Sequence, residues 1–227
     1  MSNVLLCALL LCASAQAAAP VTKVSKTGKA AQAKPLAPAA FKGDPVLGKD
    51  KAEAERCFEC HGQDGQGQGH ANGPEGKFAK LAGQFPEYML KQLQDLKSGK
   101  RKHDQMAIMA RSVEEEDQRD IIAYFASLPR MKGEGGAAET PGARLFAQGD
   151  PARGIVACAS CHGERGQGLN SAQGPILGGQ EWKYLEKQIQ DWRSGFRRNN
   201  PEGIMNQVSQ ALTDAEIQSL ADHLSAQ

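Results

Sequence analysis

The chain repeats itself, and that repetition limits its fold more than any other feature. Cys57-Phe58-Glu59-Cys60-His61 returns as Cys158-Ala159-Ser160-Cys161-His162. The likeness then runs on. Leu81-Ala82-Gly83-Gln84 answers Leu177-Gly178-Gly179-Gln180, Lys91-Gln92-Leu93-Gln94-Asp95-Leu96 answers Lys187-Gln188-Ile189-Gln190-Asp191-Trp192, and Ser98-Gly99 answers Ser194-Gly195. The offset is 101 residues at the cysteines and 96 at the later segments, so the second intervening loop is five residues shorter. A period this long describes two copies of a compact domain, not a solenoid with units of ~20–50 residues.

Cys-x-x-Cys-His is the attachment signature of a c-type haem. Two thiols three residues apart on a helical turn can bond the two vinyl groups of one haem, and the next histidine falls under the iron. A zinc ribbon would need its two cysteine pairs ~15–20 residues apart, whereas 97 residues separate Cys60 from Cys158. A thioredoxin-type pair would need a strand–helix–strand setting, and both motifs lie instead in helical, Gly-rich surroundings. Two covalently bound haem c groups are therefore expected, on Cys57 and Cys60 and on Cys158 and Cys161, with His61 and His162 as iron ligands.

The remaining pattern is all-α. Pro86 suits the first turn of a helix and Gly99 a left-handed cap after Ser98. Between them Met89, Leu93 and Leu96 form one apolar face, matched by Leu185, Ile189 and Trp192. A last helix is expected to open with a capping box at Ser112 and Glu115, and its counterpart at Thr213 and Glu216. Ile121, Ile122, Phe125 and Leu128 form the buried face of the first, and Ile217, Leu220 and Leu224 that of the second. No stretch alternates with period two, so no substantial sheet is expected. The organisation reads as a unit over 44–130, a Gly/Pro-containing linker over 131–141 and a second unit over 142–227.

A six-coordinate iron needs a second axial ligand, and the duplication screens the candidates. Met106 lies seven residues before Val113, and Met205 lies seven before Leu212. Both positions fall on the connection between the third and last helices. Met89 corresponds to Leu185 and Met109 to Val208, which suits packing, although Met109 remains the rival to Met106. Met131 falls in the linker. His103 has only Asn199-Asn200 opposite it, His70 sits in a Gly-rich loop, and His223 takes the place of Tyr124. An imidazole with a thioether favours ferrous iron and leaves no place for a substrate. That ligand set describes an electron carrier rather than an enzyme.

The N-terminus points outside the cytoplasm. An apolar run over 4–13 precedes Ala15-Gln16-Ala17, a small-x-small pattern that predicts signal-peptide cleavage after Ala17. No Lys or Arg stands before the run, so retention as an anchor is the alternative reading. Residues 18–43 hold five lysines and no acid, too little apolar content to build a core. This stretch reads as a flexible tail, either a plain solvated tether or one that associates peripherally with an anionic membrane. Without those lysines the chain has 22 basic against 26 acidic residues, a balance of −4 that does not suit nucleic acid. A second basic group, Lys97, Lys100, Arg101, Lys102 and His103, is echoed by Arg193, Arg197 and Arg198. It suits helix C-termini, haem propionates, or the steering of an acidic redox partner.

Taken over residues 44–227, these motifs resemble the dihaem cytochrome c4 family, two class I cytochrome c domains in tandem. The resemblance rests on both CxxCH motifs, the Leu-x-Gly-Gln segments, the Lys-Gln-Leu/Ile-Gln-Asp helices and the two methionine positions. It implies His/Met ligation by His61 with Met106 and His162 with Met205, and haems facing one another across a pseudo-twofold interface. It also implies a periplasmic carrier that takes electrons from a quinol-oxidising complex or dehydrogenase and delivers them to a membrane haem–copper oxidase. The alternative is the electron-accepting partner of a periplasmic dehydrogenase, such as a thiosulfate-oxidising system. The basic tail and Ala79, which stands opposite Pro175, depart from the family pattern.

Overall fold

Glycine sets the first contact in each half. Helix α1 (Pro45–Ala54) starts on Asp44, whose carboxylate accepts the amides of Val46 and Leu47, with Pro45 in the first turn. It crosses α5 (Glu115–Ser127) so closely that a Cβ on Gly48 would lie 1.9 Å from the Asp120 carbonyl oxygen. The second half repeats this with α6 (Pro141–Gln148), capped by Thr140, against α10 (Asp214–Ser225). There a Cβ on Gly142 would lie 2.1 Å from the Ser219 carbonyl oxygen. Asp120 and Ser219 are themselves equivalent in the repeat. Only glycine lets the two helix backbones touch.

The computed structural model describes residues 41–67, 78–133, 140–169 and 173–227. The expected export segment, most of the Ala/Lys/Pro-rich stretch, His70 and residues 134–139 of the expected linker lie outside the described residues. Among the described residues each half contains five α-helices in one order. The first has α1, α2 (Phe58–His61), α3 (Pro86–Lys97), α4 (Asp104–Ser112) and α5; the second has α6, α7 (Ala159–His162), α8 (Trp182–Ser194), α9 (Ile204–Gln210) and α10. Among the described residues there is no strand, and β pairing is limited to isolated bridges such as that between Asp150 and Ile155. The all-α class therefore holds, as does the duplication.

The expected faces are buried. Met89, Ile121, Ile122 and Phe125 close the first core with Ala52, Val113 and Tyr124. Leu185, Ile217, Leu220 and Leu224 close the second with Leu145, Phe146, Ile155, Leu212 and Ala221. Gly99 and Gly195 both end their helices at positive φ, +79° and +74°.

Two expectations fail locally. Ser112 does not open the last helix of the first half: it closes α4, and its hydroxyl donates to the Met109 carbonyl. Helix α5 starts instead after Glu114, which makes no side-chain cap, and Glu115, Glu116 and Asp117 fill its first turn. Acids there favour the positive end of the helix dipole. The Thr213–Glu216 capping box does form. The connections expected to carry Met106 and Met205 are themselves helical, so both methionines lie in the first turn of a short helix, α4 and α9.

The halves meet along a seam with its own small core of Ala82, Met131 and Ile176, flanked by Phe85 and Leu128. Met131 is thus a buried seam residue. Two glutamines clasp the seam. Gln84 Nε2 donates to the Ile176 carbonyl at 2.9 Å while its Oε1 accepts the Ile176 amide at 3.0 Å. Gln180 does the same to Lys80, at 2.9 and 2.8 Å. The 96-residue offset relates both members of each pair, so the two clasps are one contact used twice.

Candidate haem sites

Each CxxCH motif forms one short helix that ends on its histidine. Gly62 and Gly163 stop these helices at φ +75° and +79°. The chain then folds back so that the amides of Gly67 and Gly168 donate to the carbonyls of His61 and His162, at 2.8 and 2.7 Å. This loop fixes the histidine backbone. The ring is fixed separately: His61 Nδ1 lies 2.8 Å from the Ala79 carbonyl oxygen, and His162 Nδ1 lies 3.1 Å from that of Pro175. A carbonyl can only accept, so Nδ1 carries the proton and Nε2 keeps its lone pair. Burial pushes both imidazoles below their ordinary pKa, against the pull of those carbonyl bonds. Both rings are neutral and preset as nitrogen donors.

The first cysteine of each pair is part-buried. Burial pushes the Cys57 and Cys158 thiols up to about 11 while they are free; joined to haem they are thioethers and do not titrate. Cys161 is exposed. Aromatic rings back the first site: Phe125 stands edge-on to His61 at 6.4 Å and to Phe58 at 6.1 Å.

Met106 and Met205 are half-buried, on helices separate from those of the histidines. Helix α4 packs on α3, and α9 on α8. The Met106 amide is accepted by His103 Nδ1 at 3.3 Å, so His103 serves as the N-cap of α4. Met89 is buried in the first core, consistent with packing, and Met109 is half-buried.

The basic group divides on inspection. Arg101 and Arg197 are not exposed steering charges; they are 8% and 6% exposed and face each other across the seam. Arg101 donates to Gln92 at 3.0 Å, and to Tyr184 and Gln188 at 2.9 Å. Arg197 donates to Gln188 at 2.6 Å, Gln92 at 2.9 Å and Tyr88 at 3.3 Å. Burial and the neighbouring Arg101 guanidinium push Arg197 below its ordinary pKa. Arg193 instead pairs with Asp214 and donates to the Leu212 carbonyl. Lys97, Lys100, Lys102 and Arg198 remain exposed.

These residues fit a haem in each half. Two buried guanidiniums whose hydrogen bonds go to neutral oxygens leave positive charge that a carboxylate must balance, and each haem brings propionates. The two imidazoles supply preset Nε2 donors beside paired cysteines. The sequence offers Arg101 and Arg197 as propionate partners, but it does not single out the seam glutamines, Tyr88, Tyr184, Gln92 or Gln188 as site residues. A signal existed: Tyr88/Tyr184, Gln92/Gln188 and Arg101/Arg197 all recur at the 96-residue offset.

Comparison with known proteins agrees with this geometry. The family profile described as cytochrome c matches residues 46–129, and the one described as cytochrome c oxidase, cbb3-type, subunit III matches 137–224. Cytochrome c4 of Pseudomonas aeruginosa is 38% identical over 187 residues, covering 80% of this chain and 88% of that protein. A thiosulfate dehydrogenase electron acceptor of Stutzerimonas stutzeri is 36% identical over 174 residues, covering 75% of this chain and 78% of its own length. The solved structure of reduced recombinant cytochrome c4 from Pseudomonas stutzeri superposes with a TM-score of 0.73 at 36% identity, covering 82% of this chain and 99% of that one. Two cytochrome c domains, each with a CxxCH motif, carry two covalently bound haem c groups here, and the chain belongs to the cytochrome c4 family of electron-transfer proteins.

Proposed function

We propose that His61 with Met106, and His162 with Met205, are the axial pairs of the two haems, within units spanning 44–130 and 142–227. The observation that carries this reading is the repetition of the whole donor arrangement. Each half sets an Nδ1-anchored imidazole, half-buried at His61 and buried at His162, behind its cysteine pair and a half-buried methionine in the first turn of an equivalent helix. Haem iron bound there supplies a centre that takes up and releases one electron. The protein's part is to orient and to exclude. The Ala79 and Pro175 carbonyls hold the imidazole planes, and neutral donors on both sides favour the ferrous state. With both axial places filled, no substrate has access. Arg101 and Arg197 supply positive charge at the seam to meet the propionates.

The same reading makes the protein a periplasmic shuttle, exported by residues 1–17, that passes electrons to a membrane haem–copper oxidase. Among the described residues no helix is long and apolar enough to cross a membrane. A second reading has a specific observation behind it, the similarity to a thiosulfate dehydrogenase electron acceptor. In that case the immediate donor is a periplasmic dehydrogenase.

A near-infrared spectrum of the oxidised protein tests the ligands: methionine–iron charge transfer is expected at both haems, and carbon monoxide is expected not to bind the reduced protein readily. A vacant or bis-histidine haem in either half overturns the axial assignment. Oxidase-containing membranes that consume oxygen through the reduced protein support the shuttle. Co-purification with a dehydrogenase at fixed stoichiometry moves the assignment to the second reading.

A further inference from the structure

The two methionine segments are held by different means, and the difference lies outside the repeated motifs. In the first half one side-chain contact steadies the start of the segment, the Met106 amide bonded to His103 at 3.3 Å, while Gln118 holds only its far end by donating to the Ala110 and Val113 carbonyls at 3.0 and 2.8 Å. In the second, Asn200 Oδ1 accepts the Met205 amide at 2.7 Å, and Asn200 Nδ2 donates to Asn206 Oδ1 at 2.9 Å. Asn206 Nδ2 then donates to the Trp192 carbonyl at 2.6 Å and the Arg197 carbonyl at 2.9 Å. One pair of amides therefore ties the start of α9 to the end of α8 and to the arginine of the seam. Ala107 stands where Asn206 would be and has no group to make such bonds.

The backbone between the two asparagines is also strained. Glu202 adopts φ +54°, one of two non-glycine residues with positive φ among the described residues, and Gly203 follows at +69°. A left-handed non-glycine residue costs of order 1 kcal/mol and persists where its surroundings over-determine it. The asparagine pair provides that determination directly before Met205.

We propose that Asn200 and Asn206 are positioning residues that hold the Met205 sulfur in place, so that the second haem gives up its methionine more slowly than the first. The inference rests on the assignment of Met106 and Met205 as axial ligands. Displacing the sulfur of Met205 requires α9 to move, and that motion breaks the bonds to Trp192 and Arg197. Displacing Met106 from the first turn of α4 breaks one long cap bond, because the Gln118 bonds lie at the other end of that helix.

The test is to mix the oxidised full-length holoprotein with imidazole and follow the methionine–iron charge-transfer band. Two phases of similar amplitude are expected in the native protein. Asn206→Ala is expected to speed the slow phase about tenfold, on the basis of roughly 1.4 kcal/mol for two net hydrogen bonds, and to leave the fast phase unchanged. Asn206→Asp keeps the acceptor for Asn200 but loses both donors to carbonyls, and should speed the same phase. Asn200→Ala removes the acceptor of the Met205 amide without touching α8, and must act on that phase even if the Asn206 variants fail to assemble. A single phase in the native protein, or variants that leave the slow phase unchanged or shift both equally, overturns the proposal. Loss of the axial assignment shows itself separately, as a missing or half-intensity band before any imidazole is added.

Discussion

The two halves share their backbone contacts and differ in their side-chain locks. Gly48 and Gly142 make one helix crossing, and Gln84 and Gln180 one clasp. Around the donors the likeness ends. His61 leans on the Ala79 carbonyl and His162 on that of Pro175; Met106 follows a histidine cap and Met205 an asparagine pair. Tyr124 donates to the Gln63 carbonyl at 2.7 Å, whereas His223 in its place stacks near Phe146 at 5.6 Å. Backbone-to-backbone contact tolerates almost no change after duplication, because a single added methyl group has nowhere to go. Polar groups near a cofactor can be exchanged as long as each remains satisfied, and that freedom leaves one scaffold with two differently furnished sites.

The largest expected effect tests the shared part. Gly48→Ala and Gly142→Ala should each cost more than about 4 kcal/mol, since both would drive a methyl group into a helix carbonyl. Separate thermal melts of the holoproteins should show equal losses. A tolerated substitution in one half would mean that its helices can move apart, and the crossing would no longer be a common constraint.

Next in size comes the seam arginine pair. Arg101→Gln and Arg197→Gln should each destabilise the holoprotein by about 3 kcal/mol, because one buried anion loses its counter-charge. Removing positive charge also favours ferric iron, so both midpoint potentials should fall, by on the order of 50 mV. Because Ala79 lacks the rigidity of Pro175, the native protein should already titrate as two resolved one-electron waves. A single unsplit wave would break the claim that the two sites differ.

How far the sequence alone reached follows the same division. The repeat, the attachment motifs, the faces of α3 and α8 and the glycine stops were all legible, because each depends on local spacing. Ser112 misled because a hydroxyl three residues before a glutamate fits a capping box, yet the hydroxyl is spent on the Met109 carbonyl as α4 ends. Helix α4 itself was hidden: its nine residues are short for a helix and show little pattern beyond their methionines. The seam was hidden for a different reason. Gln92, Arg101 and Tyr184 on or beside a helix look like a solvated polar face, and only the approach of the other half turns them into a buried network.

The clasp sharpens the comparison at smaller cost. Gln84→Ala removes both bonds to the backbone of Ile176, and Gln180→Ala removes both of its bonds to the backbone of Lys80. Each should cost about 2 kcal/mol, since each variant loses two side-chain-to-backbone hydrogen bonds. Equal losses, read as shifts in denaturant midpoint, are the signature of a pseudo-twofold seam.

The smallest effect separates the halves most cleanly. Thr213→Ala should cost about 1 kcal/mol, because the hydroxyl caps the Glu216 amide. Ser112→Ala should fall within about 0.5 kcal/mol of the native protein, as its hydroxyl caps nothing at α5. Acid should act on the same contrast. Arg153 above all, with further bonds from Thr213, pulls the Glu216 carboxyl from 4.5 down to about 2. A carboxyl depressed in the folded state contributes stability that is complete above its unfolded value and lost as pH falls through the folded one. The contribution of Glu216 should therefore be intact at pH 5 and fade between about 4.5 and 2. Glu216→Gln should remove that part of the acid dependence, read from denaturant midpoints across about pH 2 to 5. An acid limb that Glu216→Gln leaves unchanged would show that the Arg153 pair and the capping box do not hold this carboxylate in the folded protein.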